Sequence, residues 1–324
     1  MTRPLSPPFQ SVLELIGNTP MVELSRLQPL RRASLFAKLE FLNPGGSVKD
    51  RLGLGMIRFA EREGLLGPGG TIIEPTAGNT GIGLALVGVQ LGYRVILIVP
   101  AGFSMEKQEV MRALGGEVIL TPKDEGIKGA ISRAEALART IPGAYVGQQF
   151  RNPFNSRVHY ETTGPEIYEQ MEGRIDAFVA GSGTGGTFTG VVRYLKEKLP
   201  KMLKVIVEPQ GSVLRGGEAG PHEVEGIGSS FIPPVLQTEL IDEYITIPDP
   251  PAFEMVARLA REEGILGGSS AGANVAAALA VATRLGVGKR VVTIIPDGAE
   301  RYMSKGIFAN WREEPSEVTS EAST

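Results

Sequence analysis

The sequence predicts an α/β protein of two lobes, each built on a mostly parallel twisted sheet covered by helices. Two observations predict it. From about Thr71, short β-branched runs alternate with longer segments of helical spacing. Parallel neighbours must be joined by crossovers, and strand-helix alternation supplies them. A turn-rich break at Asn152–Asn155 then parts the strands into two groups, and so into two sheets.

In chain order, the strand candidates before the break are Thr71–Glu74, Arg94–Val99, Glu117–Leu120 and Ala144–Val146. After it come Ala177–Ala180, Lys204–Val207 and Arg290–Ile295. Met105–Gly115, Ile127–Thr140, Gly186–Leu199, Pro251–Glu263 and Ala271–Leu285 carry apolar residues at helical spacing. No short-period repeat, heptad run or low-complexity tract interrupts them. Past Trp311 the chain turns polar and acidic (Glu313, Glu314, Glu317, Glu321), so 312–324 reads as a disordered tail.

Composition narrows the function. The 324 residues suffice to bury a core without disulfides or metals. Lys and Arg number 33 against 36 Asp and Glu, a net charge of −3, so no basic surplus calls for nucleic acid or an anionic membrane. Cysteine is absent, which removes disulfide scaffolds, thiol nucleophiles and thiolate metal sites. The 2 histidines, His159 and His222, are too few for a histidine-built metal site. His159 reads as a surface or interface residue at a helix start, His222 as a loop residue near the cleft mouth. The most apolar stretch, Ile82–Val99, is broken by Gln90 and Arg94 and reads as helix, turn and strand rather than a membrane span. Met1–Gln10 is proline-rich without an apolar core, so no signal peptide is expected and the expected location is cytoplasmic.

Glycine is the outlier, 42 residues where the average of roughly 7% predicts about half as many. In open α/β sheets ligands bind beyond the carboxyl ends of strands, and the glycines cluster at such turns. Gly181–Thr187 (GSGTGGT) follows one strand and opens a helix. Closely spaced glycines let successive N–H groups face one anion, the helix N-terminus adds partial positive charge, and Thr184 and Thr187 add hydroxyls. The segment also matches G-x-G-x-x-G, with Glu208 placed as a ribose-binding acid, so an NAD-dependent dehydrogenase competes as a reading. The bland reading is a glycine turn needed only for strand-helix packing.

Glu74–Gly81 (EPTAGNTG) gathers Thr76, Asn79 and Thr80 at a helix start. Any one could be an N-cap; three exceed what capping needs and suit a carboxylate. Asn43–Arg51 (NPGGSVKDR) sets Lys49 just inside a helix beginning near Ser47 or Val48. A lone lysine is ordinarily a solvated surface charge, but a cation at a helix N-terminus is disfavoured, and a Schiff-base lysine is served by such a site. Gly267–Gly272 (GGSSAG) precedes another apolar helix, where a serine could simply be an N-cap. A phosphate loop, a carboxylate loop, a lysine and a serine together fit pyridoxal 5′-phosphate holding an amino acid better than a dinucleotide, which leaves Lys49 and Thr76–Thr80 without work.

NPGGSVKDR, PTAGNTG, GSGTGGT, GGEAGPH and EGIGSSF, in that order, resemble the cysteine synthases (O-acetylserine sulfhydrylases) and cystathionine β-synthases among the fold-type II pyridoxal-phosphate enzymes. The likeness runs from about Leu13 to Lys305. It implies a fold like that of the tryptophan synthase β-subunit, with a smaller lobe over 50–150, its part near 85–135 mobile, and a larger lobe from 11–49 plus 151–311. It implies that Lys49 carries the cofactor and acts as base. Asn79 would bond the ring hydroxyl, Gly183, Thr184, Gly185, Gly186 and Thr187 the phosphate, and Ser270 the pyridine nitrogen. Thr76, Gly78, Thr80 and Gln149 would bind the substrate carboxylate, with Gly226 and Gly228 walling the cleft. The implied reaction converts O-acetylserine and sulfide to cysteine and acetate through an α-aminoacrylate in a homodimer, and serine acetyltransferase, whose tail family cysteine synthases can bind, is a candidate partner. Ala77 stands where cysteine synthases usually carry serine, and the Ser269-Ser270-Ala271 order is closer to cystathionine synthases, so homocysteine is the alternative nucleophile. GGEAGPH resembles the O-acetylserine-dependent enzymes, and without cysteine there is no thiolate to ligate haem.

Overall fold

Ten strands and nine helices position the site in the computed structural model, which describes residues 8–27, 32–76 and 78–309. The strands are β1 (Met21–Glu23), β2 (Ser34–Leu39), β3 (Thr71–Pro75), β4 (Arg94–Pro100), β5 (Glu117–Thr121), β6 (Tyr145–Val146), β7 (Ala177–Gly181), β8 (Leu203–Pro209), β9 (Glu243–Ile247) and β10 (Arg290–Ile295). The helices are α1 (Lys49–Arg62), α2 (Asn79–Gln90), α3 (Met105–Ala113), α4 (Gly126–Ala138), α5 (Phe154–Val158), α6 (Gly164–Gln170), α7 (Gly186–Lys198), α8 (Asp249–Arg258) and α9 (Ser269–Leu285). A π-turn, His159–Thr163, joins α5 to α6.

The larger sheet has the order β1-β2-β10-β7-β8-β9 and the smaller one β5-β4-β3-β6. Every ladder is parallel except β1 on β2. Every strand expected from sequence is present within two residues at each end. β3 and β4 are buried on both faces, so their continuous apolar runs were readable. The expectation omitted β1, β2 and β9. β1 has three residues, β2 carries Lys38 one residue from its end, and edge strand β9 carries polar Glu243 and Thr246. Apolar clusters lie on both faces of each sheet, as the helical covering requires.

Strand order creates two switch points. In the larger sheet the chain runs outward through β7, β8 and β9, then returns to insert β10 between β2 and β7. In the smaller sheet it runs β3, β4, β5 and then places β6 on the other side of β3. The crevice at such a reversal is open because the flanking connections leave in opposite directions.

Helices α1 and α2 cross in direct backbone contact. A Cβ at Gly53 would lie 2.6 Å from the Gly83 carbonyl, and one at Gly83 only 2.5 Å from the Lys49 carbonyl oxygen. That approach sets the first turns of α1 and α2 side by side. Behind them Arg51, 2% exposed, donates from Nε to Glu40 (2.7 Å) and from Nη1 to Glu166 (2.6 Å), while Lys38 Nζ reaches Glu166 at 2.7 Å. Two cations and two carboxylates close the set, which offsets the cost of taking them from water. Burial alone would raise Glu40; Arg51 beside it holds the carboxyl below its ordinary range.

Gly83→Ala is expected to cost about 1–3 kcal/mol through overpacking of this crossing, read as a lower urea midpoint. Gly67→Ala, with no neighbour within 4 Å of its added carbon, serves as the control that leaves the midpoint unchanged. An unchanged midpoint for Gly83→Ala would contradict the close packing.

Candidate active site

Lys49 is the first residue of α1. The turn before it is stitched to the end of β10: Val48 N–H donates to the Pro296 carbonyl at 2.8 Å, and Ser47 bridges Asp297. Among the described residues the Lys49 amine has no ion-pair partner, and it lines a cleft shared with the glycine loop after β7. Burial pushes its pKa below the ordinary lysine value, against the pull of Asp297 and Glu40. A less basic lysine keeps more of its amine neutral, the form that attacks a carbonyl or takes a proton.

The loop after β7 forms the opposite wall. Gly185 has φ +86°, and a Cβ there would meet Leu236 at 2.6 Å; one at Gly183 would lie 2.4 Å from the Gly226 carbonyl oxygen. Only glycine lets this loop curl against its neighbours. Among the described residues, no protein group accepts the N–H of Gly183, Thr184 or Gly185. With the N-terminus of α7 they form a cradle of free donors fit for a phosphate. Thr184 Oγ1 accepts from Asn155 Nδ2 at 2.8 Å, and Thr187 Oγ1 lies 3.1 Å from His159 Nε2. His159 is not a surface residue as expected; it is 1% exposed, and burial keeps it neutral beneath the loop. Its Nδ1 is engaged at 2.8 Å by Thr163, one π-turn on.

At the smaller sheet's switch point, the turn after β3 meets the turn after β6. Thr80 Oγ1 donates to Gln149 Oε1 at 2.7 Å, and Gly78 N–H donates to Thr76 Oγ1 at 3.1 Å. The Gln149 carbonyl accepts from Asn155 at 2.7 Å. A chain of bonds thus runs Thr80–Gln149–Asn155–Thr184, tying one expected binding turn to the other. Ala77 lies outside the described residues, as does the tail 312–324.

Ser270 enters at the start of α9. Ser269 Oγ accepts from Glu225 N–H at 2.9 Å, whereas the Ser270 hydroxyl has no partner among the described residues. It stands 3.8 Å from the Cβ position of Gly226, whose segment bonds back to the glycine loop through Gly228 N–H and the Ser182 carbonyl at 2.9 Å. Gly226 and Gly228 have φ of +85° and +86°. His222 donates to the Val224 carbonyl at 2.8 Å and lies behind Gly228.

The structure places Lys49, Gly183–Thr187 and Gly226 on one cleft, with Thr80 and Gln149 linked through Asn155 to Thr184 and Ser270 beside Gly226. Among the described residues, an unpaired lysine and a cradle of free N–H groups line one cleft, with the unpartnered Ser270 hydroxyl beside its Gly226 wall, and this donor set fits pyridoxal phosphate. Glu208, the acid of the dinucleotide reading, is spent elsewhere: it accepts from Leu214 N–H at 3.0 Å and the Thr246 hydroxyl at 3.4 Å. Sequence reasoning missed Glu74, Asn155, Asp297 and Arg301. Asp297 and Arg301 follow β10, where the rule of strand carboxyl ends could have found them.

The model of the family described as pyridoxal-phosphate-dependent enzymes matches residues 12–297. A cysteine synthase of Helicobacter pylori is 50% identical over 299 residues, spanning 91% of this chain and 98% of its own. One from Staphylococcus aureus is 48% identical over 304 residues, 93% of this chain and 98% of its own. The solved O-acetylserine-dependent cystathionine β-synthase of Helicobacter pylori superposes with a TM-score of 0.90 at 48% identity, covering 94% of this chain and 100% of that one. The cysteine synthase of Entamoeba histolytica gives 0.91 at 39%, covering 95% and 93%. The chain belongs to the pyridoxal-phosphate-dependent enzyme family, and its cofactor is pyridoxal phosphate.

Beneath the site, Glu74 is fully buried and accepts from Gln149 N–H at 3.3 Å, while its Oε2 has no partner among the described residues. Burial raises its carboxyl from 4.5 to about 8. Between those values the folded protein holds a proton that the unfolded chain releases, so stability falls as pH rises through that window. Glu74→Gln keeps the neutral shape, and its stability relative to the parent is expected to improve between about pH 5 and pH 8 in denaturant titrations. A pH-independent difference would mean that Glu74 is ionised in the fold.

Proposed function

We propose that this member of the pyridoxal-phosphate-dependent family is a cysteine synthase, replacing the acetoxy group of O-acetyl-L-serine with sulfide to give L-cysteine and acetate. The observation that carries the reading is the unpaired, burial-weakened Lys49 amine at the switch point of the larger sheet, facing a free N–H cradle. Identity of 48–50% to cysteine synthases over most of the chain supports the reaction class.

In this reading Gly183–Thr187 hold the cofactor phosphate, Asn79 bonds the ring hydroxyl and Ser270 faces the pyridine nitrogen. Lys49 is the covalent attachment point. The bound cofactor supplies an electron sink that acidifies the Cα–H of an amino acid. Thr76, Gly78, Thr80 and Gln149 grip the substrate carboxylate, which fixes the orientation of that Cα–H bond. The released Lys49 amine takes the Cα proton as general base, and acetate leaves from Cβ with its bonding electrons. Sulfide then forms the new Cβ–S bond, and the proton held on Lys49 returns to Cα. Ser270 offers a neutral hydroxyl where a carboxylate would hold a proton on the ring nitrogen, which favours prompt elimination over prolonged carbanion chemistry. Gly226 and Gly228 wall the cleft without side chains that would narrow it. A cytoplasmic homodimer, able to accept the tail of a serine acetyltransferase in this cleft, completes the reading.

A second nucleophile is favoured by one observation: the Helicobacter pylori structure at 48% identity is an O-acetylserine-dependent cystathionine β-synthase. Purified holoenzyme given O-acetylserine with equal sulfide and homocysteine decides between them. Mostly cysteine is expected; mostly cystathionine would assign homocysteine as the acceptor. Lys49→Ala is expected to lower turnover at least about 100-fold in the same assay. Retained turnover would remove Lys49 from the mechanism.

A further inference from the structure

Asn79, the first residue of α2, is held on both sides of its amide by groups from the segment after β10. Its Nδ2 donates to Asp297 Oδ2 at 2.6 Å, and its Oδ1 accepts from Arg301 Nη1 at 2.7 Å. A guanidinium only donates and a carboxylate only accepts, so the pair forces one orientation of the amide. One Asn79 N–H is used by Asp297; the second is left over.

The two partners are themselves braced. Asp297 is 2% exposed and also accepts from the Tyr302 hydroxyl on the same oxygen. Arg301 donates from Nη2 to the Gly45 carbonyl, in the turn that leads into Lys49. Gly46, with φ +77°, leaves the room: a Cβ there would lie 2.3 Å from Arg301 Nη2. One side chain therefore touches both the turn that sets Lys49 and the amide that opens α2, across the two sheets.

We propose that Arg301 and Asp297 are positioning residues that clamp the Asn79 amide, so that its remaining N–H is presented to the ring oxygen of pyridoxal phosphate while Arg301 keeps that amide in register with the Lys49 turn. The inference rests on the proposed role of Asn79. It adds that this role depends on an arginine and an aspartate that hold the amide from its two sides.

The test is a double-mutant cycle on cofactor affinity, read by reconstituting cofactor-free protein with pyridoxal 5′-phosphate and following absorbance. R301Q and N79A are each expected to weaken binding about 10-fold, the scale of a hydrogen bond to a charged group. In the N79A background R301Q is expected to cost less than about threefold, because the group it positions is gone. R301K, keeping one donor, is expected to fall between parent and R301Q. A purely structural arginine would weaken binding by the same factor with or without Asn79; such multiplicative losses, or unaltered affinity in R301Q, overturn the clamp. Should R301Q not fold, the N79A and R301K cycle reads the same coupling. Parent protein that binds no pyridoxal phosphate would overturn the proposed function itself, an outcome distinct from independent losses.

Discussion

The backbone contact between α1 and α2 is the constraint from which the site follows. With Gly53 and Gly83 at the crossing, two helices that start from different sheets run close enough for carbonyl and Cα to touch. Their first turns then lie side by side, bringing Lys49, after the larger sheet's β2, near Asn79, after the smaller sheet's β3. A side chain at either glycine would force the helices apart and separate two groups that the proposed chemistry needs within one ligand's length.

Around that crossing, polar groups are arranged in two tiers. The deeper one, Lys38, Glu40, Arg51 and Glu166, balances its own charge and anchors α1 to β2 and α6. The upper one runs from Thr80 through Gln149 and Asn155 to Thr184, linking the turn for a carboxylate to the loop for a phosphate. Among the described residues Lys49 has no ion pair of its own. Its basicity is weakened by burial, against the opposing pull of Asp297 and Glu40, which are near enough to be felt and too far to bond.

Much of this was legible in the sequence because the informative residues sit where rules of strand and helix apply. Apolar parallel strands announce themselves, and glycine-rich turns after them mark ligand crevices, so Lys49, Asn79, Gly183–Thr187 and Ser270 could be named from spacing and resemblance. Other features have no local signature. Lys38 in β2 looks like a polar interruption until Glu166, far along the chain, is seen to pair with it. Asp297 and Arg301 read as ordinary charges near the end of the chain; only tertiary structure sets them on Asn79. His159 is misjudged for the same reason, since burial under the glycine loop is set by α7 and the π-turn rather than by its neighbours in sequence.

The central claim is that Lys49 is the residue that binds the cofactor. Holoenzyme treated with borohydride, digested and analysed by mass spectrometry tests it directly. The account predicts a phosphopyridoxyl group fixed on the Lys49 peptide and on no other lysine; label on a different lysine, or none after cofactor loading, would contradict it.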